Sequence, residues 1–399
     1  MNNVKLWTRD FLIDSITNLF IYLAFYLLMV TITTYAMDNL QASPSEAGLA
    51  SGIFIVGTLI ARVFVGKAID RVGRKKTLYV GLVLFLGMTL LHFGVNNLVF
   101  LVVIRFLHGA AFGIAATATG TIAASVIPHE RRGEGISYYA MSLALASAIG
   151  PFLGMFINQQ GSFNMVLLLA AILVLASLIA VLFLRVPEAE LTEEQLVKMK
   201  GVALSNFFEA QAIPISLVSI FIGLGYSSIL SFMAVYAREI NLADAGSFFF
   251  IVYAIATLIS RPLTGRWFDQ KGENFVMYPA FLVFALSLVI LSQAYQGSIL
   301  LLAGIFVGFG YGTLLSSSQA IAVKVSPRHR LGLATSTFYI FLDGGVGIGP
   351  FLLGFLIPIT GFRGLYMSMA IVLLCCTFLY YFLHGRKPAE YGEELVTEG

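Results

Sequence analysis

The stretch GKAIDRVGRKK, residues 66–76, places five basic residues around a single acid, Asp70. It interrupts a chain in which 58% of the residues are hydrophobic and only 11% are charged. A soluble domain usually carries about 25% charged residues. Such a basic segment between long apolar runs indicates a short loop that joins two membrane helices on the side of the membrane where positive charge collects.

Apolar runs like those on either side of this loop recur along the whole chain, whose mean hydropathy is +0.89. Twelve runs can be separated, the first from Phe11 to about Met37. Each is close to the ~20 residues that a bilayer-spanning helix requires. Backbone amides inside lipid must be paired within the segment, so the runs are predicted to be helices. The predicted fold class is an all-α integral membrane protein with twelve transmembrane helices.

The longest polar segment, PEAELTEEQLVKMKGVALSNFFEAQ, separates the sixth apolar run from the seventh. It predicts an N-terminal bundle at residues 1–186, a cytoplasmic linker at 187–210, a C-terminal bundle at 211–384 and a cytoplasmic tail at 385–399. With the N-terminus inside, the inner loops, linker and tails hold nineteen of the 24 Lys and Arg residues. The positive-inside rule therefore predicts that both termini are cytoplasmic.

The second half of the chain repeats landmarks of the first at a constant offset of 199 residues. The opening loop has a counterpart in GRWFDQKGEN, residues 265–274, which lacks the basic cluster after Gly272. The matched positions include Arg62 and Arg261, Asp70 and Asp269, Gly73 and Gly272, Gly109 and Gly308, Gly113 and Gly312, and the Gly-Pro pairs at 150–151 and 349–350. The chain is thus predicted to form two pseudo-symmetric six-helix bundles, an arrangement with a binding cavity near the midplane between them.

Three segments carry a resemblance to the major facilitator superfamily. GKAIDRVGRKK resembles its signature loop between helices 2 and 3, and LVVIRFLHG, residues 101–109, is similar to its helix 4 motif with an intramembrane arginine. SLALASAIGPFLG, residues 142–154, resembles the helix 5 motif of the drug:proton antiporter branch, through Gly150, Pro151 and Gly154. The resemblance implies the major facilitator fold and a monomeric, proton-coupled exporter of small amphipathic compounds in the inner (plasma) membrane, working by alternating access.

The signature loop is expected to form a cytoplasmic gate. Gly66 and Gly73 allow close helix approach and a tight turn, and Asp70 can accept hydrogen bonds from the N-terminal amides of a helix. Arg74 is placed to reach Glu130. Arg71 and, in the second copy, Asp269 complete the predicted gate. The alternative is that these charges only fix the topology.

Asp343 is the acid that lies near the middle of a predicted span, helix 11, and its repeat counterpart is Ala144. A carboxyl group in the membrane is costly and needs a reason. A role in proton or substrate exchange is the favoured interpretation. A protonated Asp343 that is bonded to a neighbouring helix is the alternative.

Arg105, seven residues into helix 4, is the second candidate for proton coupling. Its side chain either snorkels outward as a packing residue or responds to the protonation state of the cavity. His108, almost one turn further on, could join it. Asp14 and Asn18 lie one turn apart near the inner end of helix 1, where Asp14 is expected to reach cytoplasmic water and is the third candidate for proton coupling.

Aromatic and lightly polar residues are predicted to line the substrate cavity, although aromatic residues at helical spacing more often serve packing. The candidates are Asn18, Tyr22, Tyr26, Tyr139, Tyr226, Gln319 and Tyr339.

Two other functions compete with multidrug efflux. A dedicated exporter of one metabolite, such as a metallophore, sugar or amino-acid derivative, fits the same features. An enzyme does not, because the five histidines are dispersed along the sequence without metal-ligand spacing. No P-loop occurs, so ATP is not expected to be the direct energy source. The expected partners are a small-molecule substrate, protons and the lipid bilayer, with no cofactor, metal or nucleic acid.

Overall fold

The computed structural model describes residues 5–128, 131–186, 208–327 and 330–386. In the first half these residues form α1 (Arg9–Asn39), α2 (Pro44–Val72), α3 (Arg74–Leu91), α4 (Leu98–Val126), α5 (Arg132–Gln160) and α6 (Phe163–Leu182). The second half contains α7 (Ile213–Glu239), α8 (Ala243–Lys271), α9 (Glu273–Ser292), α10 (Gly297–Lys324), α11 (Leu331–Gly354) and α12 (Ile357–Tyr380). Short 3₁₀ turns occupy His92–Gly94 and Ala210–Ala212, and a π-helical turn, Tyr381–Gly385, follows α12.

Within these described ranges, twelve helices are long and apolar enough to cross a membrane. This confirms the predicted all-α fold with twelve spans. The helix ends follow local capping chemistry: Ser43 and Glu46 form a capping box at the start of α2, and the Asn97 side chain accepts from the Phe100 amide at the start of α4.

The signature loop and its repeat copy each contain a glycine with a positive φ. Gly73, between α2 and α3, has φ 98°, and Gly272, between α8 and α9, has φ 84°. Residues with a Cβ rarely adopt such a φ, which explains why the repeat retains glycine at this position.

The chain folds as two compact units, Met1–Gly201 and Val202–Gly399. In unit 1, α2 and α3 pack on α4, and α5 and α6 pack on α1. In unit 2, α8 and α9 pack on α10, and α11 and α12 pack on α7 and α9 respectively. Three of these four helix pairs recur in unit 2, as expected from the 199-residue repeat, whereas α12 packs mainly on α9, the counterpart of α3, and α6 packs mainly on α1.

Close contact between α2 and α4 depends on glycine. A Cβ on Gly109 would collide with the backbone of Phe54, and the Thr58 hydroxyl donates to the Gly109 carbonyl at 2.9 Å. The equivalent bond in unit 2 joins Thr257 to the Gly308 carbonyl at 3.4 Å. Small residues that let two membrane helices touch through their backbones are a general device of helix packing in lipid.

Three aromatic rings at repeat-related positions form the centre of each unit. In unit 1 they are Phe54, Phe85 and Phe112, with Phe112 5.4 Å and 5.8 Å from the other two ring centroids. In unit 2 they are Tyr253, Phe284 and Tyr311, with Tyr311 6.4 Å and 5.6 Å from the others. These distances are typical of favourable aromatic pairs, so the repeat preserves a core and not only loop landmarks.

At the end of each unit that carries the glycine loop, a polar side chain of the third helix bonds to the main chain at or just beyond the sixth helix. Lys75 Nζ donates to the carbonyls of Leu182 and Leu184, at 3.2 Å and 2.7 Å, at the end of α6 and just beyond it. Asn274, 199 residues after Lys75, donates to the Gly385 carbonyl at 2.7 Å, just beyond α12.

A buried acid reinforces the same end of unit 2. The Glu273 carboxylate, 3% exposed, lies 3.3 Å from Lys324 Nζ and 2.7 Å from His384 Nε2. The network joins the start of α9 to the end of α10 and to the turn after α12.

The predicted linker, residues 187–210, lies mostly outside the described residues. Its last part is packed into unit 2, however: Glu209 is 3% exposed, pairs with Arg330 Nε at 2.7 Å, and its amide donates to the Thr337 hydroxyl at 2.8 Å. The folded part of the second unit thus begins before residue 211. Of the predicted tail, Gly385 is buried at the end of the π-helical turn.

Candidate transport site

Asp14 is fully buried in α1, and neither of its carboxylate oxygens has a hydrogen-bond partner among the described residues. The expectation that Asp14 reaches water was therefore wrong. Its position near the end of a helix did not predict that the surrounding helices would cover it. A buried carboxylate without a partner is very costly as an anion. The side chain must hold a proton or be neutralised by a cation.

Asn18, one turn from Asp14, joins three helices of unit 1. Its Nδ2 group donates to the Ser142 hydroxyl on α5 at 2.7 Å, and its Oδ1 atom accepts from the Thr119 hydroxyl on α4 at 3.1 Å. Tyr139, predicted to line the cavity, lies one turn before Ser142 and packs on the small apolar cluster that includes Phe11 and Ile127. Ser142 and Thr119 were not among the predicted site residues.

Arg105 is fully buried on α4, so the interpretation of a side chain that snorkels to the surface was wrong. Its Nε group donates to the Ala50 carbonyl at 3.1 Å, its guanidinium lies 4.5 Å from the Phe54 ring centroid, and Nη2 is 3.7 Å from Met29 Sδ. His108 Nδ1 is 3.5 Å from Nη1, in the pairing that the sequence suggested.

His92 is a member of this group that the sequence did not predict. It was counted among dispersed histidines, but its ring centroid lies 5.0 Å from that of His108, because α3 and α4 pack side by side. The 199-residue offset offered a signal: the counterparts of Arg105, His108 and His92 are Gly304, Val307 and Leu291.

In unit 2, Asp343 is half-buried on α11. Tyr339, one turn earlier on the same helix, donates from its hydroxyl to Gln319 Oε1 on α10 at 3.1 Å. The structure therefore brings together two of the predicted cavity residues, of which Tyr339 lies one helical turn from Asp343.

The remaining predicted aromatic residues are engaged in ring contacts. Tyr226 stacks on Tyr311, with centroids 4.0 Å apart and planes 2° apart, and is only 5% exposed. Tyr22 and Tyr26 lie on α1, where Tyr22 meets Phe112 at 5.1 Å and Tyr26 meets Phe25 at 4.7 Å. Ring contacts are compatible with both interpretations, so the role of these tyrosines in the cavity stays a prediction.

The predicted cytoplasmic gate is only partly described. Arg71 and Asp269 lie near the ends of α2 and α8, and Arg74 begins α3. Glu130 lies outside the described residues, as do the side-chain environments of Asp70 and Gly66. The Arg74–Glu130 pair stays a prediction.

The Gly-Pro motif packs α5 against α1. A Cβ on Gly150 would approach Tyr26 Cβ at 2.5 Å, and one on Gly154 would approach the Leu27 carbonyl at 2.7 Å. Pro151 lies inside α5 and lacks an amide, so one hydrogen bond of the helix is absent there.

A family model described as Major Facilitator Superfamily matches residues 15–294 and 215–398. The chain belongs to the Major Facilitator Superfamily. Its members are transporters, so this is a multi-pass membrane transporter, in agreement with the resemblance seen in the sequence.

Named relatives of this superfamily member include two exporters of different kinds. The chain is 26% identical over 366 residues to the Staphylopine export protein of Staphylococcus aureus, covering 86% of this chain and 88% of the relative. It is 24% identical over 332 residues to the Multi-drug resistance efflux pump PmrA of Streptococcus pneumoniae, covering 80% and 83%.

Among solved structures, the chain resembles a bacterial homologue of the human lysosomal transporter Spinster in an inward-facing, unoccupied conformation. The TM-score is 0.80 at 12% identity, covering 96% of this chain and 98% of the other. At this identity the likeness supports the superfamily fold alone.

Proposed function

We propose that this superfamily member is a secondary active transporter that exports small amphipathic compounds in exchange for protons. The burial of Asp14 is the observation that supports proton coupling. A fully buried carboxyl group without a hydrogen-bond partner is costly as an anion, and binding of a proton makes it neutral. In the proposed cycle the proton is taken up from the outside and released to the cytoplasm, and this downhill movement drives export of the cargo. The similarity to the Multi-drug resistance efflux pump PmrA supports the direction and the type of cargo.

Asp343 and Arg105 complete the proposed coupling set. Asp343 is half-buried one turn from Tyr339, which bonds to Gln319, and both of these side chains are suited to hydrogen-bond a cargo. We further propose that the protein is a monomer in the plasma membrane with both termini in the cytoplasm. The positive-inside distribution of Lys and Arg supports this orientation.

The second candidate is an exporter dedicated to one metabolite. The match to the Staphylopine export protein favours it, because that relative is named for a single cargo. Aromatic packing residues and one central acid are compatible with either function.

The test is proton movement in proteoliposomes with an imposed pH gradient, on addition of lipophilic cations, neutral amphipathic drugs and amphipathic amino acids. Wild type, Asp14→Asn and Asp343→Asn are compared, with Asp244→Asn, which removes an acid in the first turn of α8, as the matched control. We expect cargo-driven proton release in the wild type and the control, and at least a tenfold loss in one of the other two variants.

Equal release in all four proteins would exclude both acids from the coupling. Absence of release with every compound of the panel, by a protein that is folded, would contradict multidrug efflux and favour the dedicated exporter.

A further inference from the structure

Unit 1 contains a buried polar cluster that unit 2 replaces entirely with apolar residues and glycine. The cluster consists of Arg105 and His108 on α4, Thr89 on α3 and His92 in the turn after α3. The residues 199 positions later are Gly304, Val307, Leu288 and Leu291. In both units the second and third helices pack on the fourth helix, and the same three-ring core surrounds these positions, so the fold does not require the polar residues.

Hydrogen bonds fix which ring nitrogens carry protons. His92 Nδ1 lies 2.7 Å from the Met88 carbonyl, which only accepts, so Nδ1 carries the hydrogen. The Thr89 hydroxyl donates to the Phe85 carbonyl at 2.7 Å and accepts from His108 Nε2 at 3.0 Å. His108 Nδ1 is then the acceptor that faces Arg105.

Two functional groups of the cluster lack a matching partner. His92 is 2% exposed and its Nε2 atom, the acceptor of the neutral ring, has no hydrogen-bond partner among the described residues. Arg105 meets a carbonyl, a thioether, a ring and an imidazole, and no carboxylate of the described residues pairs with it. A buried guanidinium without an anion, beside a buried acceptor without a donor, is costly to maintain.

The guanidinium has a strong acceptor at its Nε group and only weaker contacts at its Nη groups. Its Nε group is bonded to the Ala50 carbonyl, whereas Nη2 faces Met29 Sδ at 3.7 Å. A thioether is a weak acceptor, and Met29 Sδ also faces the Ser51 hydroxyl at 3.5 Å, so it satisfies little of the hydrogen-bonding capacity of Nη2. The two Nη groups are therefore the donors that remain for a ligand.

We propose that this cluster binds the carboxylate end of a cargo that also carries an N–H or O–H donor, with the carboxylate on the Nη groups of Arg105 and the donor on His92 Nε2. One ligand thereby supplies both missing partners. The inference deepens the proposed function, on which it rests, by assigning a chemical class to part of the cargo. His108 and Thr89 act as positioning residues: Thr89 bonds to His108 Nε2, and His108 Nδ1 faces Nη1 of Arg105.

The test uses three matched probes on purified full-length protein, measured by calorimetry. L-phenylalanine offers both groups, L-phenylalaninamide lacks the carboxylate, and 3-phenylpropanoate lacks the ammonium donor. We expect phenylalanine to bind about tenfold or more tightly than either partial probe, since each loses one hydrogen bond to a buried group.

One variant copies the residue of the other unit, and a second removes the guanidinium but keeps a polar side chain. His92→Leu introduces the residue found at Leu291 and should abolish the preference for phenylalanine over 3-phenylpropanoate. Arg105→Gln should abolish the preference for phenylalanine over the amide. Thr117→Val, which removes a hydroxyl bonded within α4 to the Gly113 carbonyl at 2.7 Å, is the matched control and should bind like the wild type. Size-exclusion profiles verify that each variant is folded.

Equal binding of all three probes, or preferences that survive in both variants, would overturn the inference. Absence of probe binding by a protein that still exports amphipathic compounds would overturn the carboxylate site and leave the proposed function intact. Absence of both binding and export would contradict the two proposals together.

Discussion

Asp10 and Asp14 lie one turn apart on α1 and have opposite surroundings. Asp10 Oδ1 accepts from the Arg185 amide at 2.9 Å, whereas both oxygens of the buried Asp14 carboxyl lack a partner among the described residues. Replacement of an unsatisfied buried polar group by an apolar group of similar shape is neutral or stabilising, but loss of a bonded one costs stability.

We therefore predict that Asp14→Leu raises the free energy of unfolding by about 1 kcal/mol and that Asp10→Leu lowers it by a similar amount. Thermal unfolding in detergent measures both. A clear destabilisation by Asp14→Leu would mean that the carboxyl makes a bond essential to the fold, and it would remove the basis for Asp14 as the coupling group.

At this scale the sequence predicts contacts between partners that lie on one helix. Arg105 and His108 are three residues apart on α4, so their proximity follows from helical periodicity. His92 lies beyond the end of another helix, and Asn18 meets Ser142 and Thr119 across 124 and 101 residues. Such contacts depend on how helices pack, which a single sequence does not specify.

Among the helices, α2 and α4 depend closely on glycine. A Cβ at Gly109 would overlap the Phe54 backbone, whereas one at Gly87 on α3 would have no neighbouring atom within 4 Å. Backbone atoms do not move aside as a flexible side chain would, so α4 would have to shift as a whole.

We predict that Gly109→Ala destabilises the protein by about 1–3 kcal/mol through overpacking. Gly87→Ala should stabilise it by up to about 1 kcal/mol, because alanine favours the helix. Unfolding midpoints in detergent compare the two. Equal effects at both positions would contradict the close approach of α2 and α4.

The existence of each helix was predictable, but the helix ends were less so. The twelve apolar runs are all helices, because lipid leaves no alternative for the backbone. The predicted first span at 11–37 became Arg9–Asn39, since the Thr8 side chain caps the Phe11 amide upstream of the apolar run. The 3₁₀ turn that contains His92 and the π-helical turn after α12 carry no sequence pattern that would have predicted them.

For the whole molecule, the two compact units suggest that each half is an independent packing body. We predict that residues 1–195 and 196–399, co-expressed as separate chains, assemble and restore a measurable fraction of transport, and that neither piece alone does so. A matched cut after residue 255, inside α8, should abolish transport, because it divides a helix. Failure of the first pair with normal levels of both pieces would contradict the predicted linker at 187–210.

The repeat predicted more of the architecture than the motifs did. Gly73 and Gly272, Thr58 and Thr257, and the three-ring cores all recur at the same offset and in the same structural role. The offset was equally informative where it failed, because Asp343 and the Arg105 cluster have no polar counterparts.

Lys75 and Asn274 reach the main chain beyond α6 and α12 from equivalent positions. The codons for lysine and asparagine differ only at the third base, so one mutation converts either residue into the other. If the halves descend from one duplicated gene, this exchange needed no intermediate protein in which the carbonyl beyond the last helix lacked a hydrogen-bond donor. It also changed the net charge of one half by one unit. Two related halves can in this way acquire different surface charge while they keep the same backbone fold.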